Sequence, residues 1–412
     1  MRSKAAHASF SRAAMRTWPR TSPRTSRLAY APLGTLYNLA PSNLLPERRK
    51  MKITSVRTRH LRLPADEPLA GAPPVLGPTR DFVTLTLGTD QGIEGISYTF
   101  FGGNLSASLK TTVETLAGLA IGQDPLAIEA VMAKIGASVL AGPGGMVMLA
   151  LSAIDIALWD IKGKTFGVPV ATLLGGARAK VPVYASGALS RDCSLDQLLK
   201  AAGTLRERGW KQMKTQLALP GDTTVAKEVE RIRKLREIIG NDIDLMCDIN
   251  QRWDVRQAIS IGRRIEEFGL YWLEDVVACD DYAGHGRVTA ALDTPTAAGE
   301  YVFGIVPFRH MFEARSVDIG MLDVMRTGGI SGWLKIAAMA EAFNLPVVSH
   351  LYPEISVHLV AGVCNGLTVE YMPWTNRLFK ETPKIAEGMI EVPQRPGLGL
   401  EFDEKACAQY EA

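Results

Sequence analysis

No apolar run in this chain approaches the roughly 20 residues that a membrane-spanning helix needs. Its five cysteines (Cys193, Cys247, Cys279, Cys364, Cys407) are odd in number and far apart, with no Cys-x-x-Cys pair. That argues against a disulfide framework or a zinc site and fits a reducing, cytoplasmic setting. Acidic residues are scarce only at the start: residues 1–50 hold ten Lys or Arg and one acid, Glu47, leaving 36 basic and 42 acidic residues thereafter. The overall charge of +3 therefore misleads, because the body is mildly acidic and carries no nucleic-acid footprint. At 412 residues, 47% apolar and 22% charged, the chain has room for two domains or a barrel with additions.

Residues 1–50 are rich in Arg, Ser, Ala and Pro and show no amphipathic period, so they are expected to be a disordered basic tail. They resemble an organelle transit peptide, but Met51-Lys52-Ile53-Thr54 reads as a natural chain start, which favours a mis-called start or a dispensable tail. Residues 51–178 read as strands followed by helices, an α+β domain. Phe82 to Leu87, the turn Thr89 to Gly92, and Ile93 to Phe100 predict an antiparallel hairpin. Before it lies the Pro/Gly-rich stretch Ala65 to Arg80, long enough to have a task of its own. Val147, Leu151, Ile154, Leu158 and Ile161 keep helical spacing on one face.

From residue 179 to 385 the pattern changes to alternating units. Val181 to Tyr184 predicts a first strand, the Ser194/Gln197 capping box a helix, Lys211 to Gln216 a strand, Thr224 to Ile239 a helix, and Asp254 a further helix start. Short apolar runs then end in Asp248, Glu274, Glu300, Asp323, His350 and Glu370, at intervals of 26, 26, 23, 27 and 20 residues. That is the length of one strand, one helix and two loops. Polar residues repeated at the carboxyl ends of buried strands fit a parallel barrel, which gathers its active site at that face. The fold class is therefore α/β, a TIM-like barrel with an α+β amino-terminal capping domain. Residues 386–412 follow the barrel and are expected to return to the capping domain.

Asp248, Glu274 and Glu300 end three adjacent strands and offer the oxygen-rich ligand set of a hard cation, read here as Mg2+. Lys214 and Gln216 share a strand face, so Lys214 points towards the metal if that face is interior. Burial there would disfavour its ammonium form, making it a clamp or a base. Asp323 and His350 end neighbouring strands, where an Asp can fix an imidazole tautomer for general acid/base work. Glu370, if kept protonated, could donate to a substrate carboxylate. Gln216 and Asn250 are expected substrate contacts.

Ala150 to Lys164 (ALSAIDIALWDIKGK), Lys211 to Thr215, Asp248-Ile249-Asn250, Trp272 to Asp275, Ala298-Gly299-Glu300, Asp323 to Gly329 and Ser349-His350-Leu351 resemble the mandelate racemase branch of the enolase superfamily over residues 51–412. The resemblance implies a (β/α)7β barrel, Mg2+ on Asp248, Glu274 and Glu300, a His350-Asp323 dyad, Glu370 on the substrate carboxylate, a mobile specificity lid from Ala65 to Arg80, and a homo-oligomer, octamer or dimer. Two positions depart from it. Gln216 stands where the family carries a second lysine, and Val276 where a proline is common. An amide takes no proton at neutral pH, which favours a sugar-acid dehydratase working with His350. The alternative is a racemase, epimerase or cycloisomerase with Lys214 as opposing base, and more remotely a binding protein that has lost catalysis. The partner in each case is a small carboxylate, with no nucleic acid and no membrane.

Overall fold

Alternation of period two near the amino terminus and of strand and helix beyond it is realised directly in the computed structural model. It describes residues 51–71, 77–140, 142, 144–221 and 224–412. The expectation for residues 1–50, and the centre of the expected lid, lie outside these residues. Strands β1 (Ile53–Pro64), β2 (Thr79–Thr89) and β3 (Glu94–Thr99) form an antiparallel sheet. The β2–β3 hairpin is the expected one, with Gly92 at φ 73° in its turn. Helices α1 (Ser106–Gly118), α2 (Ile128–Ala137), α3 (Gly145–Phe166) and the single turn α4 (Val170–Leu173) follow.

The barrel alternates β4 (Lys180–Leu189), α5 (Leu195–Glu207), β5 (Gln212–Gln216), α6 (Val225–Ile239), β6 (Asp244–Asp248), α7 (Val255–Ile265), β7 (Trp272–Glu274) and α8 (Tyr282–Ala291). It continues with β8 (Thr296–Ala298), α9 (Ile305–Glu313), β9 (Ile319–Asp323), α10 (Gly329–Ala342), β10 (Val347–His350), α11 (Pro353–Gly362) and β11 (Val369–Tyr371). Neighbours from β4 to β10 pair in parallel in chain order, and β11 returns to pair with β4. Leu367 N donates to Val347 O, joining the last strand to β10 and closing the ring. This is a (β/α)7β barrel.

Local chemistry sets the helix starts. Ser194 and Gln197 form the expected reciprocal capping box on α5, Asp254 and Gln257 form another on α7, and Thr224 caps α6 through Lys227 N. Strand parity then sorts side chains. Tyr184, Met246, Trp272, Ile319, Met321 and Val348 fill the barrel interior as a cluster of their own, while the opposite parity packs on the helices.

Helix α3 differs from its expected one-faced stripe, for it is buried on nearly all sides, against β3, α1, α2 and α10. Its buried polar residues are therefore bolts. Ser152 Oγ donates to Met325 O at 2.7 Å, Asp160 accepts from Ile96 N and Leu398 N, and Asp155 accepts from Ser331 N and Ser331 Oγ at 3.0 and 2.6 Å. The capping helix is thus pinned to the loop that follows β9 and to the first turn of α10.

The carboxyl-terminal segment takes a longer route than expected. After β12 (Ile385–Ala386), β13 (Met389–Glu391) pairs antiparallel with β4 at the amino end of that strand. The unpaired edge of β4 there attracts it before the chain reaches the capping sheet. Only then does Gly397 bridge Pro169, and α12 (Glu404–Gln409) set Glu404 against Arg57 and Arg59 of β1. No helix of the described residues is long and apolar enough to cross a membrane.

Burial holds the Asp155 carboxyl up at about 7, against the pull of Ser331. The folded state thus binds this proton more tightly than the unfolded chain, so the contribution of Asp155 is fully present below pH 4 and is lost as pH rises through 7. Unfolding free energy should fall across that window by up to about 1.4 kcal/mol per pH unit from this group. Denaturant titrations of wild type and Asp155→Asn between pH 4.5 and 7.5 should show a difference that grows with pH in favour of the amide.

Candidate active site

All six strand-end residues converge on the carboxyl-terminal mouth of the barrel, and all six are buried. Asp248, Glu274, Asp323, His350 and Glu370 get there by parity, each lying two residues beyond an inward position or opposite one. Glu300 does not, since it lies two residues past the end of β8. Gly299 turns the chain at φ 136°, and a Cβ there would sit 2.4 Å from Met321 O. Glycine is therefore required at this turn, which sets Glu300 Oε2 3.4 Å from His350 Nε2.

On one side of the mouth stands the dyad. His350 Nδ1 lies 2.7 Å from Asp323 Oδ2, while Asp323 Oδ1 accepts from Met325 N and Arg326 N at 2.7 and 3.0 Å. A carboxylate acceptor places the proton on Nδ1 and leaves Nε2 facing the pocket. Burial works to lower the imidazole pKa, but Glu300 and Asp323 outweigh it and raise it. Phe101, from the loop after β3, lies nearly parallel to the imidazole with centroids 6.1 Å apart, so the capping sheet roofs the dyad.

On the other side lies Lys214. Its Nζ bridges Glu274 Oε1 at 2.6 Å and Glu370 Oε1 at 2.8 Å. Burial would lower its pKa, yet the Glu274 and Glu370 carboxylates override that and hold it well above the usual range. Of the two expected roles, clamp or base, the paired carboxylates favour the charged clamp, and the ammonium form is supported rather than disfavoured. The protonated form expected for Glu370 is disfavoured by the same contact. Burial would raise its pKa, but Lys214, His350 and Ser186 depress it, and its oxygens already accept from Ser186 Oγ at 2.7 Å and Leu351 N at 2.8 Å. In this arrangement both of its oxygens act as acceptors.

Gln216 and Asn250, the expected substrate contacts, are hydrogen-bonded to each other and to their neighbours at the rim of the site. Asn250 donates to Asp248 Oδ2 from Nδ2 and to Asp248 Oδ1 from its backbone, both at 2.7 Å, and its Oδ1 accepts from Gln216 Nε2 and from Arg191. Gln216 Oε1 accepts from Ser190 Oγ and Arg191 N. The Gln216 amide fixes Asn250, which fixes Asp248.

Between the two sides sit more carboxylates than cations. The tightest group is Asp248, Glu274 and Asp275, with one oxygen from each within 4.8 Å of the others. Asp275 was not singled out from the sequence, since its parity points outward; a φ of 44° turns it inward, and the acidic pair Glu274-Asp275 was its only signal. Both of its oxygens and Glu300 Oε2 are buried without a hydrogen-bond partner. Burial, then Glu300 and Asp248, drive the Asp275 carboxyl well up, and burial holds Asp248 at about 6. Orphaned oxygens on an all-carboxylate set are what a hard divalent cation would satisfy.

Comparison with known proteins places this geometry. Residues 55–175 match the mandelate racemase / muconate lactonizing enzyme N-terminal domain, and residues 197–406 match the enolase C-terminal domain-like family. The chain belongs to the mandelate racemase branch of the enolase superfamily. It is 34% identical over 319 residues to the L-talarate/galactarate dehydratase of Salmonella typhimurium, covering 77% of this chain and 79% of that one. It is 31% identical over 356 residues to the 3,6-anhydro-alpha-L-galactonate cycloisomerase of Streptomyces coelicolor, covering 85% and 97%. The solved L-talarate dehydratase of Polaromonas sp. JS666, complexed with Mg and L-glucarate, superposes with a TM-score of 0.79 at 32% identity over 87% of this chain and 97% of that chain.

A cation bound by the folded state alone raises stability with its concentration. Millimolar MgCl2 should raise Tm by several degrees, EDTA should reverse the shift, and Glu274→Gln should abolish it; these are read by differential scanning fluorimetry.

Proposed function

We propose that this chain is a Mg2+-dependent dehydratase of a sugar acid, yielding a 2-keto-3-deoxy acid. The observation that supports it is one pocket in which an Asp-backed imidazole faces buried carboxylates that Lys214 alone cannot neutralise. Asp248, Glu274 and Glu300 would hold the ion, with Asp275 beside them. When bound, Mg2+ supplies positive charge to the enediolate that forms from the substrate carboxylate.

The residues of the chain do the rest. Asp323 keeps the proton on Nδ1, so His350 Nε2 takes the α-proton and then, as imidazolium, returns it to the departing β-hydroxyl. The Cβ–O bond breaks, water leaves, and the enol product tautomerises to the keto acid. Lys214, anchored by Glu274 and Glu370, contributes charge at the carboxylate end of the substrate. Gln216 takes no proton, so one residue serves both transfers. A cytoplasmic octamer or dimer belongs to the same reading, and light scattering would measure the assembly.

The test is incubation of the chain with Mg2+ in D2O against four- to six-carbon sugar mono- and diacids and mandelate, followed by proton NMR and a keto-acid assay. Keto acid from a sugar acid is the expected result, and His350→Asn should lower kcat by about 10²- to 10⁴-fold. Exchange or inversion at the α-carbon without water loss would instead favour the racemase or cycloisomerase reading, with Lys214 opposite His350.

A further inference from the structure

Arg80 stands where the Ala65–Arg80 stretch rejoins the capping sheet. It has the same parity on β2 as Phe82, whose ring packs on Tyr98 and Phe100 at 6.2 and 5.0 Å. Tyr98 in turn meets Tyr352 and donates to Glu354 of the barrel, so this is the face of the sheet turned towards the barrel mouth. The Arg80 guanidinium lies 4.0 Å over the ring of Trp374, in the loop after β11. From Trp374 a continuous aromatic wall runs through Phe100 and Phe101 to His350, with centroid separations of 6.0, 4.0 and 6.1 Å.

The cation is half-buried and has no hydrogen-bonded anion among the described residues. Its Nε and Nη1 are buried and donate to nothing. Asp66 and Glu67 are near enough to favour its charge but make their hydrogen bonds to other groups: Asp66 pairs with Arg377 at 2.8 Å, and Glu67 accepts from Leu69 N and Ala70 N. Beside Trp374, Asn376 Oδ1 is likewise buried without a donor, while its Nδ2 donates to Tyr371 OH at 2.9 Å. Buried guanidinium N–H groups left without acceptors are costly, and the planar fork that Nε and Nη1 belong to matches a carboxylate.

Building on the sugar-acid reading above, we infer that Arg80, resting on Trp374, binds a second carboxylate at the far end of the substrate, with Asn376 Oδ1 accepting from a neighbouring hydroxyl. The substrate is then a dicarboxylic sugar acid. One carboxylate lies at the carboxylate cluster and Lys214, and the other lies along the aromatic wall beside Arg80 at the start of β2.

Binding separates this inference from the chemistry. Isothermal titration of Mg2+-loaded full chain carrying His350→Asn would compare six-carbon aldarates with the aldonates of matching configuration. The best-bound diacid should exceed its monoacid by about 10- to 100-fold, the worth of charge-assisted hydrogen bonds. Adding Arg80→Met should bring the pair within threefold, and Arg80→Lys should fall between. Trp374→Leu should cut the same ratio and serves if the Met variant does not fold. Equal binding of the pair, or a ratio that Arg80→Met leaves in place, overturns the inference. A diacid preference in binding with no keto acid from wild type would retain the clamp and sink the dehydratase. Keto acid from monoacids with no diacid preference would do the reverse.

Discussion

Like charges buried together are the constraint around which the barrel mouth is built. Asp248, Glu274, Asp275 and Glu300 are all buried at the barrel mouth, and Lys214 pairs with one of them, Glu274. Holding them there takes backbone that cannot relax. Parallel strands end in register, Gly299 makes a turn that only glycine fits, Trp272 Nε1 donates to Glu274 Oε2, and Asn250 grips both oxygens of Asp248. Each of these opposes the repulsion that would splay the carboxylates. The cost of that geometry is offset only if a cation occupies it, which is why the fold and the proposed cofactor are one problem.

The capping domain solves a second part of it, by excluding water from the mouth. Helix α3 is bolted through Ser152 to the loop whose amides cap Asp323, so capping domain and dyad share a frame. Tyr98 donates to Glu354 Oε2 while Thr375 donates to Glu354 Oε1, linking β3, α11 and the loop after β11 at one buried carboxyl. Along this seam the aromatic wall lowers the local dielectric, which strengthens the charge interactions inside. The surface around the barrel mouth is therefore assembled from both domains.

Much of this was legible in the sequence because the barrel repeats. A polar residue closing each apolar run at strand-helix spacing marks a strand end, and parity gives the inward face at Lys214, Asp248 and His350. What escaped depends on local backbone or on neighbours. Asp275 sits at the outward parity until a left-handed φ turns it. Arg191 reads as a loop residue between Ser190 and Asp192, yet it is buried with its guanidinium on Asn250 and the carbonyls of Asp248 and Ile249. The charge states of Lys214 and Glu370 follow from their contact with each other, which no spacing encodes.

Gln216 shows how one replacement can bias chemistry. A lysine at that position would bring a mobile cation and a possible second base; the amide instead accepts from Ser190 and Arg191 and donates to Asn250, so it is immobilised at both ends. The positive charge lost at position 216 is supplied nearby by Arg191, a group that stays protonated and serves to position rather than to transfer. Across the pocket from His350, the remaining amine, Lys214, is tied to two carboxylates. Proton traffic on the proposed reading is thus confined to one face of the substrate. Configuration at the α-carbon is then selected by which hydrogen faces His350 Nε2, before any difference in binding is needed.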